Sequence, residues 1–87
     1  MNQIHRKQCP VGEVFYGPNA ETITFGWQEQ RQAFSLWYAD EQTDPTQAQR
    51  KYCIVGTGVD YPDGFDLIAS CVMPDGFTVI HLMREKI

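Results

Sequence analysis

The sequence predicts an all-β domain, and three observations predict it. Apolar and polar side chains alternate with a period of two along several short stretches, as the two faces of a strand require. Turn residues punctuate the chain at short intervals. No segment repeats apolar residues at helical spacing for long enough to pack as a helix. The expected architecture is a single small antiparallel sheet of six or seven strands, barrel-like or folded into a two-layer sandwich, with at most one helical turn near residues 44–50.

Taken in order, residues 3–9 and 13–16 read as short strands separated by Pro10 and ended by Gly17-Pro18. Residues 21–28 follow, with Ile23, Phe25 and Trp27 on one face and Thr22, Thr24 and Gln28 on the other. Residues 33–39 put Phe34, Leu36 and Tyr38 on one face and Trp37 on the opposite one. The polar link Glu29-Gln30-Arg31-Gln32 is short enough to close a hairpin between these two strands. Residues 40–49 are the most polar stretch. Within it Asp44-Pro45-Thr46-Gln47 has an N-cap, a proline at the first helical position and a glutamine at N3.

Residues 50–55 are again a strand, apolar on both faces (Tyr52 and Ile54, then Cys53 and Val55), which predicts a central position covered twice. Pro62-Asp63-Gly64-Phe65 and Pro74-Asp75-Gly76-Phe77 are near copies, twelve residues apart. Proline presets φ, Asp bonds its own backbone and Gly supplies a positive φ, so each is expected to close a hairpin. They feed strands at 66–73 and 77–84.

The chain has 87 residues, enough for one domain (1–87) that buries roughly 60–65% of its unfolded surface. A hydrophobic content of 43% with 21% charged residues is ordinary for a globular chain. No apolar run reaches the ~18–20 residues of a membrane span, and the N-terminus lacks the apolar stretch of a signal peptide. A net charge of −4, with the bases scattered, argues against a nucleic-acid partner; single-stranded binding on strand aromatics stands as the second alternative. The three cysteines, Cys9, Cys53 and Cys71, have neither disulfide-framework nor zinc spacing, so they read as reduced thiols of a cytoplasmic protein.

Candidate sites are few. His81 and Cys71 lie on strands expected to be neighbours, where an imidazole would take a thiol proton; a histidine satisfied by one hydrogen bond on a half-buried sheet face is the commoner arrangement. Asp60, Asp63 and Asp66 recur every three residues around a turn, without the alternate spacing and distant Glu of a calcium loop. Gly56-Thr57-Gly58 follows a strand but lacks the third glycine and the helix of a nucleotide turn. No cofactor is implied. Trp27, Phe34, Trp37 and Tyr38 form an aromatic set on one hairpin, and aromatic enrichment marks interface centres. The leading expectation is therefore a non-enzymatic binding or adaptor module that forms a homo-oligomer through those rings or takes a protein partner there. The alternative is a small-molecule binding protein or small enzyme with a pocket near Cys71 and His81.

The chain also resembles a family of small, uncharacterised β-rich proteins from phages and other mobile elements. The resemblance is carried by Gly17-Pro18-Asn19-Ala20 leading into the 23–28 strand, Leu36-Trp37 with Asp40, Arg50, Tyr52, Val55-Gly56-Thr57-Gly58, Gly76-Phe77 and His81. It implies a β architecture and a mobile-element origin, and no activity. Relatives have His-Pro after the Gly-Thr-Gly turn where this chain has Val59-Asp60, which argues against a shared catalytic histidine in this loop.

Overall fold

A computed structural model describes residues 3–39 and 49–86. Seven strands run in the order β1 (Ile4–Cys9), β2 (Phe15–Gly17), β3 (Thr24–Gln28), β4 (Ala33–Ala39), β5 (Arg50–Gly56), β6 (Phe65–Val72) and β7 (Val79–Glu85). Every pairing is antiparallel, but the strands divide between two sheets and close no barrel. One sheet has the order β1-β4-β3 and the other β2-β5-β7-β6. The expected single sheet is thus corrected to two, and the two-layer form is the one adopted. Of the helical turn expected near 44–50, residues 44–48 lie outside the described residues, and Arg50 already belongs to β5.

Alternation explains how the layers meet. Phe25 on β3 with Phe34 and Leu36 on β4 face Phe15, Tyr52, Ile54 and Leu82 of the other sheet in one core. Phe25 stacks on Phe34 at 5.6 Å between centroids, and Trp27 meets Phe34 edge-on at 4.9 Å. The β3–β4 hairpin closes through a single 3-10 turn, Glu29–Arg31, with Gln32 in the left-handed region at φ 49°. Glu29 braces it, accepting from Trp27 Nε1 at 2.6 Å and from Gln32 Nε2 at 3.2 Å.

Tyr52 is the anchor of the interior. It has no exposed surface, and its hydroxyl donates to the Pro18 carbonyl at 2.5 Å. The Arg84 guanidinium donates to the Ala20 carbonyl at 2.8 Å and lies 6.0 Å from the Tyr52 ring centroid. Gly17 is required by this packing, because a β-carbon there would sit 2.7 Å from the Tyr52 ring.

The second sheet is covered twice, as the two apolar faces of β5 predict. On its outer face Cys53, Phe65 and Met83 form a small second cluster with Val55 against it. The connection from β5 to β6 crosses this face, with Val59 and Tyr61 beside Val55 and Met83, and Val59 and Pro62 beside Cys53. Both strands are antiparallel to β7 and lie on either side of it, so they run in the same direction. The chain leaves β5 beside Ile80 and enters β6 beside Glu85. That traverse is about 20 Å from strand rise and spacing. Eight residues, 57–64, must span it, and fully extended they reach about 26–29 Å. They therefore cross as an irregular strap, with turns at residues 57–58 and 63–64 taking up the slack.

This overturns one local expectation. Gly64 and Gly76 both have positive φ, at 83° and 77°. Only Pro74–Phe77 closes a hairpin, between β6 and β7, whereas Pro62–Phe65 ends the strap.

Candidate functional site

The register of the β6–β7 hairpin decides what His81 meets. Ser70 pairs with His81 and Cys71 with Ile80. Successive side chains point to opposite faces, so Ser70 and His81 share the outer face while Cys71 packs against the inner core. The expected Cys71–His81 pair is thereby corrected: the strands are neighbours, but the two groups lie on opposite sides of the sheet. Burial also pushes the Cys71 thiol up, as it does Cys53, and raises Cys9 from 9.0 to about 11, away from thiolate chemistry.

Instead, His81 is held by two hydroxyls. Ser70 Oγ lies 2.7 Å from Nδ1 and Thr57 Oγ1 lies 2.9 Å from Nε2. Thr57 also donates to the Val79 carbonyl at 3.3 Å. Ser70 reaches the ring from its own strand, while Thr57 arrives on the first turn of the strap. That turn is fixed by Val59 N–H donating to the Gly56 carbonyl at 3.2 Å and by Gly58 at φ 83°. Gly56-Thr57-Gly58 is therefore a turn whose side chain orients an imidazole, and no helix follows it among the described residues.

Between the strap and the sheet lies a cleft of about 240 Å³. Val55, Val59, Leu67 and Met83 make its apolar walls, Tyr61 adds an aromatic one, and Thr57 and His81 form its polar end. Tyr61 and Leu67 are more than half exposed, at 52% and 59%. A second cleft, about 320 Å³, opens between Val14, Cys53, Val59 and Pro62 beside the carboxylates of Glu13 and Asp60, and has no such pinned ring.

The other sequence candidates separate. Phe34 is a core residue at 5% exposure, and Trp27 and Tyr38 pack against the same core, so the chain covers these rings itself. Tyr38 also approaches the His5 ring, at 5.5 Å. Trp37 alone points outward, across Gly26, and lines a cleft of about 140 Å³ with Thr22 and Thr24. Asp60, Asp63 and Asp66 do not converge: no group of three metal-ligating side chains exists among the described residues, and Asp66 lies 3.6 Å from Lys86. Several cations are engaged in the fold: Arg6 with Ser35 (3.0 Å), Arg50 with the Glu85 carbonyl, Arg84 with Ala20.

Sequence reasoning named His81 but missed Ser70 and the role of Thr57. Counting outward from the Pro74–Phe77 turn, with Met73 opposite Thr78, places Ser70 opposite His81. Thr57 left no such signal, because the path of the strap depends on strand order. No helix among the described residues is long and apolar enough to cross a membrane. No curated protein and no solved structure matches the chain. A family model described as a domain of unknown function (DUF7352) matches residues 1–87, the full length, and the chain belongs to that family.

Proposed function

We propose that the protein is a small-molecule binding module whose site is the cleft between the strap and the outer face of the four-stranded sheet. One observation carries this reading: an imidazole pinned through both ring nitrogens stands at one end of an otherwise apolar cleft. Binding sites combine mostly apolar walls with a few oriented polar groups. Binding is favoured over nucleophilic catalysis because burial holds all three thiols in the protonated form.

Chemical-shift mapping with a mixed library of small aromatic and aliphatic compounds tests the proposal. Shifts centred on Val55, His81 and Met83 support it. A library that leaves these residues unmoved, or moves only those around Trp37, refutes it.

Self-association is the second reading, and Trp37 favours it as the one hairpin ring directed away from the core. The cytoplasmic setting belongs to the same proposal and rests on the three free cysteines. The mobile-element setting rests on the family resemblance alone.

A further inference from the structure

We propose that the cleft takes a single-ring aromatic compound bearing one hydroxyl, of the phenol class, and that this hydroxyl donates a hydrogen bond to Thr57 Oγ1. This rests on the cleft being a ligand site. The argument begins with protons. Thr57 has one hydroxyl hydrogen, and the Val79 carbonyl 3.3 Å away can only accept it. With that hydrogen engaged, Thr57 must accept from His81 across 2.9 Å, so Nε2 carries the ring proton. In the neutral ring Nδ1 is then an acceptor, and Ser70 donates to it across 2.7 Å.

This assignment follows from satisfying the whole network at once. With the Thr57 hydrogen on the Val79 carbonyl, the chain for the neutral ring runs from Ser70 through His81 and Thr57 to that carbonyl. Thr57 Oγ1 therefore lines the cleft with a lone pair and no available proton. The nearby Val59 amide is engaged by the Gly56 carbonyl. The fixed polar end asks its ligand for a donor.

The walls ask for a flat ring. Tyr61 offers an aromatic face and Met83 a thioether, which makes favourable contacts with aromatic edges. A volume of about 240 Å³ lies below the ~300–1,000 Å³ typical of drug-sized ligands and suits one ring. A carboxylate would bring only acceptors, and a charge to be stripped of water beside apolar walls.

The test is a titration of the full chain with phenol, anisole, toluene and benzoate, followed at the Met83 methyl and the His81 ring. Phenol is expected to bind roughly tenfold more tightly than anisole, the loss of about one net hydrogen bond. Thr57→Val should erase that preference and Thr57→Ser should restore it. Equal affinity for phenol and anisole, or tightest binding of benzoate, overturns the donor argument while the ligand site stands. No perturbation by any of the four overturns the ligand site and this inference together. The phenol–anisole comparison needs only the unaltered protein, so it decides even if a variant misfolds.

Discussion

Gly17→Ala is the sharpest test of how the two sheets are held together. The added β-carbon would lie 2.7 Å and 2.8 Å from two carbons of the Tyr52 ring. Ordinary carbon–carbon contacts are about 3.5–4.0 Å, so the overlap is roughly 1 Å. The ring cannot yield cheaply, because it is fully buried and its hydroxyl is tied to Pro18, the residue that follows Gly17. Gly17 is not among the residues with positive φ, so the penalty is steric and not a matter of backbone strain. Overpacking of this kind costs about 1–3 kcal/mol. For a domain of this size each kcal/mol moves the melting temperature by about 4–8 °C, which predicts a fall of roughly 5–20 °C.

The assay is thermal unfolding followed by circular dichroism, on Gly17→Ala, Tyr52→Leu and the double variant. The double variant should be at least about 1 kcal/mol more stable than the sum of the single losses, since removing the ring removes the clash. A Gly17→Ala protein that melts within about 2 °C of the parent, or strict additivity of the two changes, would refute the packing described.

Alkali should unfold the protein through Cys9. Its thiol has a pKa raised by burial from 9.0 to about 11, so the stabilisation is complete below pH 9 and is lost as pH rises through 11. The loss is about 2–3 kcal/mol, read as a falling urea midpoint, and Cys9→Ala should flatten that limb. Tyr52, raised from 10.0 by its own burial, adds to the loss in the same direction. Asp75 works at the acid end: hydrogen bonds from Thr78 and the Phe77 amide lower its carboxyl below 3.8. Stability is therefore present above that value and lost as pH falls through the lowered one, and Asp75→Ala should flatten the acid limb of the melting profile. Phe77, 88% exposed on the turn Asp75 braces, should tolerate Phe77→Ser with a stability change within about 0.5 kcal/mol in denaturant titrations. Sedimentation at micromolar concentration should show self-association that Trp37→Ala abolishes, if the outward face of the three-stranded sheet is an interface; a monomer in both cases removes that reading.

Much of the fold was legible because alternation is a local signal. The strand at residues 33–39 is marked by Phe34, Leu36 and Tyr38, and its bounds agree with β4. The two apolar faces of β5 foretold a doubly covered strand, and both clusters exist. Partner choice is not local. Pro62–Phe65 and Pro74–Phe77 share their turn chemistry and their positive φ, yet one closes a hairpin and the other ends a strap. Which occurs depends on β7 inserting between β5 and β6, and no residue in either turn encodes that.

The site shows the same division. His81 was visible as the lone titratable group in an apolar run, but its partner depended on register. Shifting the pairing by one residue would put Cys71 opposite His81 in place of Ser70 and turn Ser70 to the other face. The aromatic hairpin divides for a related reason: Phe34 is core, Trp27 and Tyr38 pack partly against the facing layer and Trp37 does not, and composition alone cannot reveal a second layer.

The proton order at the site stands or falls with the tautomer of His81. Long-range proton–nitrogen correlation at about pH 8.5, some two units above the ordinary imidazole value, reads which nitrogen carries the proton. The hydroxyl chain requires a single form, with hydrogen on Nε2 and a bare Nδ1, lost when Thr57 is replaced by Val. Hydrogen on Nδ1 would reverse the chain and remove the lone pair offered to a ligand; a rapid mixture of both forms that Thr57→Val leaves unchanged would mean that the strap does not hold the ring.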